Sequence, residues 1–131
     1  MMRAIAAVAG GFVTWVLVAT ICNLGLRAAL PGYAAAEPDM AFTLPMLVGR
    51  LLVALVASLA AGLVAGVVGR AGGRAGGVLA ILLLMVFLPV HYRLWARFPA
   101  WYHLFFLATL VPAVLGGVAL ATRRARGAVA A

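Results

Sequence analysis

The sequence predicts an all-α fold: a four-helix transmembrane bundle, built as a single integral membrane domain with both termini cytoplasmic. Three observations predict it. Hydrophobic residues make up 68% of the 131-residue chain and charged residues 9%, whereas soluble domains run near half apolar and about a quarter charged. The apolar residues fall into four runs separated by short polar or Gly/Pro-rich stretches. The arginines lie at or near the ends of those runs. A soluble core of this length cannot hide so much apolar surface, so lipid must be the solvent for most side chains. The soluble-enzyme folds are thereby set aside.

The first run, 4–26, lies between Arg3 and Arg27. At 1.5 Å per residue it covers roughly 34 Å, enough to cross a hydrocarbon core of about 30 Å with some tilt. A cleaved signal peptide is the competing reading, with Ala34–Ala36 as the small-residue site, but the run is much longer than a signal h-region. Thr14, Thr20 and Asn23 inside it are expected to bond the helix's own carbonyls or a neighbouring helix. The lone Cys22 can form no intrachain disulfide.

An outer loop, 27–43, follows. Pro31-Gly32 ends the helix, and the only two acids, Glu37 and Asp39, lie here. Pro38 is expected to begin a short helical turn. Thr43 is expected to cap the second span, 44–69, with Pro45 in its first turn. Arg50 sits inside that span and calls for an acid, so an ion pair of Arg50 with Glu37 or Asp39 is predicted. Ala54, Ser58, Gly62 and Gly66 recur every four residues and form a helix-packing stripe, because small residues let another helix approach closely in lipid.

Residues 70–77 read RAGG-RAGG, a basic inner turn held at the lipid headgroups. Gly-rich backbone can cradle an anion, but the P-loop pattern is missing. The next apolar run, 78–90, is too short to span alone. The third span is therefore drawn over 75–95, beginning within the Gly-rich turn and continuing past Pro89, with Pro89 as a kink. Phe98-Pro99 starts the fourth span, 100–121, and a basic tail, 122–131, is expected to fray.

Orientation comes from the arginines. With four spans, Arg3, Arg70, Arg74, Arg123, Arg124 and Arg126 share one side, and Arg27, Arg50, Arg93 and Arg97 share the other with both acids. The more basic side is cytoplasmic. The formal charge of +8 therefore reads as a contact with anionic lipid at the inner face of the bilayer, not with nucleic acid. Arg without Lys, in an Ala/Gly/Val/Leu-rich chain, points to a GC-rich bacterial genome and so to the bacterial inner membrane.

The stretch 89–103, PVHYRLWARFPAWYH, concentrates the polar and aromatic residues. His91, Tyr92, Arg93, Trp95, Arg97, Trp101, Tyr102 and His103 form a candidate interfacial cluster at the outer end. Trp and Tyr at a span end are expected as an aromatic belt. His91 and Trp95 share a helix face, and Arg93 and Arg97 another. His91 and His103 can meet across the turn, with Glu37 or Asp39 as further ligands, but two His without local spacing make no metal motif. No metal and no cofactor are expected. No enzyme is expected either, since neither Ser58, the sole Ser, nor Cys22 pairs with a His in a nucleophilic arrangement.

Length and helix count are similar to those of the small multidrug resistance exporters. The first span lacks their membrane-embedded Glu, which argues against proton-coupled cation export. Two functions stand. The first is a non-enzymatic helix-packing or interaction protein, acting as a homo-oligomer or as an accessory subunit of a membrane partner. The second is a small-solute or anion transporter or channel using Arg50, Arg93 and Arg97.

Overall fold

A computed structural model describes residues 1–70 and 73–130 of the chain. Those residues are all-helical, without strands: α1 Met2–Ala29, α2 Tyr33–Ala36, α3 Leu44–Val68, α4 Gly73–Arg93 and α5 Ala100–Ala130. All but α2 are long and apolar enough to cross a membrane. Multi-pass character is thus supported by length and composition together.

The helix ends differ from expectation in instructive ways. α1 continues through Arg27 to Ala29, past the expected loop start, because nothing before Pro31 interrupts it. Gly32 then adopts φ 78°, a left-handed conformation that a glycine takes without steric cost. The short helix of the loop between α1 and α3 lies at Tyr33–Ala36, ahead of Pro38 and not after it. Its three alanines favour the helix, while Pro38 has no N–H to continue it. Thr43 occupies the N-cap position of α3, but its side chain makes no capping bond. Only its carbonyl is used, accepting from the Leu47 N–H at 3.0 Å.

α4 reaches span length in the way the short apolar run demands. It begins at Gly73 and carries Pro89 inside it. It ends at Arg93, and 94–97 continue as turns, closed by Arg97 N–H donating to the Leu94 carbonyl at 2.9 Å. Residues 71–72 of the Gly/Arg turn, and Ala131 of the tail, lie outside the described residues. The rest of the tail does not fray: α5 runs on to Ala130, since Ala and Arg are both strong helix formers.

Side-chain pairs give the helix directions. Arg50–Tyr102, Gly62–Val114 and Gly66–Val118 all share one sequence offset, 52, so α3 and α5 run parallel. Trp15–Ser58 and Leu26–Gly49 descend as the other rises, so α1 and α3 are antiparallel. His91–His103 and Phe87–Phe106 set α4 antiparallel to α5. Contacts join α1 to α3, α3 to α5, α5 to α4 and α4 to α1. The successive long helices therefore alternate in direction, and the chain gathers its chemistry at two opposite ends.

The expected stripe on α3 is a packing stripe within the chain. Ala54, Ser58, Gly62 and Gly66 are all buried. A Cβ at Gly62 would lie inside the carbonyl of Val114, and one at Gly117 inside that of Leu59. Backbone therefore meets backbone where α3 crosses α5, which only glycine allows. As the surface for a second copy, the stripe is already covered by α5. Ser58 serves a third helix: its hydroxyl donates to the Ala54 carbonyl at 2.7 Å and accepts the Trp15 indole N–H at 3.0 Å.

Candidate functional site

The end of the molecule that holds the loop between α1 and α3 is tied together by one directional chain of hydrogen bonds. The Arg50 guanidinium on α3 donates through Nη1 to the Tyr33 hydroxyl at 3.0 Å. Tyr33 donates to Asn23 Oδ1 at 2.7 Å. Asn23 Nδ2 donates to Glu37 Oε1 at 3.1 Å. Glu37 is closed off by Arg27, whose Nη2 lies 2.5 Å from Oε2. On its other side Arg50 Nε reaches the Tyr102 hydroxyl at a long 3.4 Å. The Phe42 ring covers the guanidinium, its centroid 4.6 Å from Cζ, a cation–π contact that adds no negative charge.

This corrects the predicted ion pair. Among the described residues the salt bridge of Glu37 is with Arg27, not Arg50, and Asp39 is exposed. The physical reason is the unexpected length of α1. Because the helix runs on to Ala29, it brings Arg27 over the loop and leaves Tyr33 and Asn23 between Glu37 and Arg50. The Arg27 hydrogen bond, with that of Asn23 behind it, holds the Glu37 carboxyl below the usual carboxylate range.

Arg50 thus has two phenols and a ring for company, with Nη2 making no hydrogen bond to the described residues. It lines a cavity of about 460 Å³ bordered by α1, α3, α4 and the start of α5. The charged and most of the polar groups of the wall gather at one end, among Leu24, Leu94 and Phe98. Asn23, Arg27, Arg50, His91 and Tyr102 lie toward the loop end, while Trp15, Ala54, Phe87 and Phe106 lie deeper. Thr20, Leu24 and Val90 line the cavity yet are exposed, so its open flank is the seam between α1 and α4.

The 89–103 stretch divides in two. His91, Tyr102 and His103 are buried, together with Phe98. Tyr92, Arg93, Trp95, Arg97 and Trp101 are exposed. Trp95 nevertheless stacks on His103 with centroids 4.8 Å apart. His91 and Tyr102 reach the cavity, whereas Arg93 and Arg97 do not line it. An anion path through Arg50, Arg93 and Arg97 together is therefore not what the geometry builds. The second arginine of the cavity is Arg27.

The histidines do meet, Nδ1 to Nδ1 at 2.7 Å. One Nδ1 must donate and the other accept. His103 Nε2 is buried without a partner among the described residues. A bare lone pair is cheaper to bury than an unbonded N–H, so the assignment that costs least gives His103 its proton on Nδ1, donated to His91. His91 then carries its proton on Nε2 and lines the cavity as a neutral donor. Among the described residues no group of three or more His, Cys, Asp or Glu is placed to hold a metal ion.

Sequence reasoning marked Arg50, Glu37, His91, His103 and Tyr102, but passed over Tyr33, Phe42 and Trp15. Tyr33 was the findable one: a lone phenol in a loop that also carries both acids. Trp15 was hidden because an indole in an apolar run reads as lipid-facing. No protein-family model, curated protein or solved structure matches this chain.

Proposed function

We propose that this chain is a non-enzymatic integral membrane protein of the bacterial inner membrane, with both termini cytoplasmic, that binds an anion at Arg50 in the cavity of its outer end. One observation carries the reading: a half-buried guanidinium faces a cavity and, among the described residues, has only neutral groups bonded to it. Charge withdrawn from water is costly unless it is paired. One of the chain's two acids is held by Arg27 and the other is exposed. The missing negative charge is supplied by a ligand, with His91 and Arg27 as further donors.

The opposite end carries Arg3, Arg70, Arg74 and the tail arginines, facing anionic lipid headgroups. Arg70 and Arg124 flank a second cleft there, of about 400 Å³, over Gly66 and Ala121. That basic end is the cytoplasmic one by the excess of arginine.

The test is saturable stabilisation of the detergent-solubilised protein by formate, butyrate, phosphate or sulfate. Wild type gains melting temperature with at least one of them, as expected for a ligand that binds only the folded state. Arg50→Gln loses the gain, and Arg50→Lys retains part of it. A wild type indifferent to the whole panel contradicts the reading.

A further inference from the structure

We infer that the anion is the acidic head of a single-chain amphiphile, a carboxylate or phosphate on one acyl chain, whose tail lies along the cavity toward Trp15 and Phe106. The inference rests on the anion reading of Arg50 and adds the body of the ligand to its charge.

Three features of the cavity select that class. Its charge is confined to one end, with Arg27, Arg50 and His91 at the loop end among apolar neighbours and Trp15, Phe87 and Phe106 in the depth. A small hydrated anion needs only the first part. A neutral lipid tail needs only the second. An acidic amphiphile uses both, with its head at the interface level and its chain at membrane depth. The cavity is also long: its α1 wall extends from Trp15 to Arg27, about 18 Å of helix at 1.5 Å per residue, which suits an acyl chain of medium length.

The third feature is access. The open flank lies between two apolar helices, at Leu24 on α1 and Val90 on α4. Both helices are long and apolar enough to cross the membrane, so the flank, about one turn below Arg27 and Arg93, borders acyl chains just inside the headgroup level. A ligand already dissolved in the bilayer enters sideways and does not have to desolvate its tail. The deep end is closed by a contact between the same two helices, Trp15 against Phe87 with ring centroids 4.5 Å apart. Trp15 is held there by Ser58, so the tail ends against a fixed ring.

Trp15 makes the test direct. In a Trp95→Phe/Trp101→Phe background Trp15 is the only indole, and neither replaced residue lines the cavity. Titration with 11-bromoundecanoate should quench Trp15 saturably, while 2-bromoundecanoate, brominated beside the head, should quench it weakly. Arg50→Gln should raise the half-saturation concentration at least about tenfold. The neutral 11-bromoundecanol should give only unsaturable, partition-driven quenching.

If the alcohol saturates as the acid does, charge is irrelevant and both the amphiphile and the anion reading fall. If the acid does not saturate while butyrate or phosphate still stabilises wild type, the amphiphile falls and the anion reading stands. Dodecanoate and dodecyl phosphate, run as competitors, separate the two possible heads. Should the double Phe variant not fold, native mass spectrometry of the wild-type chain serves instead. A one-to-one adduct with dodecanoate or dodecyl phosphate, lost in Arg50→Gln, supports the inference, and equal adducts in both proteins overturn it.

Discussion

α3 and α5 run parallel at one sequence offset along their whole contact, yet their two halves do opposite things. In the half nearer Arg70, called inner after the proposed orientation, Gly62, Gly66 and Gly117 bring backbone onto backbone, and no side chain fits between. In the outer half, Arg50 and Tyr102 meet through their side chains at 3.4 Å, and a cavity opens beside them. Both helices are long and apolar enough to cross a membrane, so overall hydropathy does not set the difference. Residue size at the crossing does. Small residues make the inner half a fixed pivot, and long polar residues hold the outer half apart. A cavity within lipid needs such struts, because nothing but packing and hydrogen bonds resists collapse there.

The largest expected effect breaks the pivot. Gly62→Leu places its Cβ inside the Val114 carbonyl, and backbone cannot rotate away as a side chain can. The loss should be about 3 kcal/mol or more, read as unfolding at lower denaturant in mixed micelles. It should appear in the monomer, at protein concentrations where no oligomer forms. A loss seen only where oligomers form would mean that a second copy, and not α5, is what Gly62 packs against.

A smaller effect sharpens the strut. Glu37 ends the hydrogen-bond chain that begins at Arg50, and its pKa is lowered from the usual 4.5. A carboxyl depressed in the folded state adds stability that is fully present above its unfolded pKa and is lost as pH falls through the folded value. The melting temperature of wild type should therefore exceed that of Glu37→Gln above about pH 5, and the gap should close as pH drops below 4.5. The gap should also narrow in high salt, since Arg27 is half exposed. A pH-independent gap would mean that Glu37 acts by shape alone.

The architecture was more legible than the site, for a physical reason. Span number follows from run length, and the shortness of 78–90 was enough to require that α4 reach beyond that run at one end or both; it does so at both. The small-residue stripe was legible as packing, because period and size are local properties. Its partner was not, since any close-approaching helix satisfies the same pattern. The ion pair of Arg50 was misread because acids were sought by charge alone. Loop geometry decided instead: Arg27, on the last turn of α1, reached Glu37 first. Tyr33 and Asn23 then carried the connection through neutral groups, which charge counting cannot see.

The smallest expected effect tests what the comparison leaves outside, the outward side of α1. Only Ala7 and Gly11 of that helix are fully buried, while Val13, Leu17, Ile21 and Leu24 are exposed. A Cβ added at Gly25 meets nothing within 4 Å. In a chain surrounded only by lipid, Gly25→Ala should be neutral or stabilising by up to about 1 kcal/mol, through helix propensity, and Gly25→Leu should be equally harmless. Both are measured by unfolding in mixed micelles and by activity-independent yield from the membrane. If Gly25→Leu instead lowers stability or strips a co-purifying protein, the open face at Gly25 is covered in the native membrane by another chain. The interaction function would then rest on α1, and the α3 stripe would keep its role inside the chain.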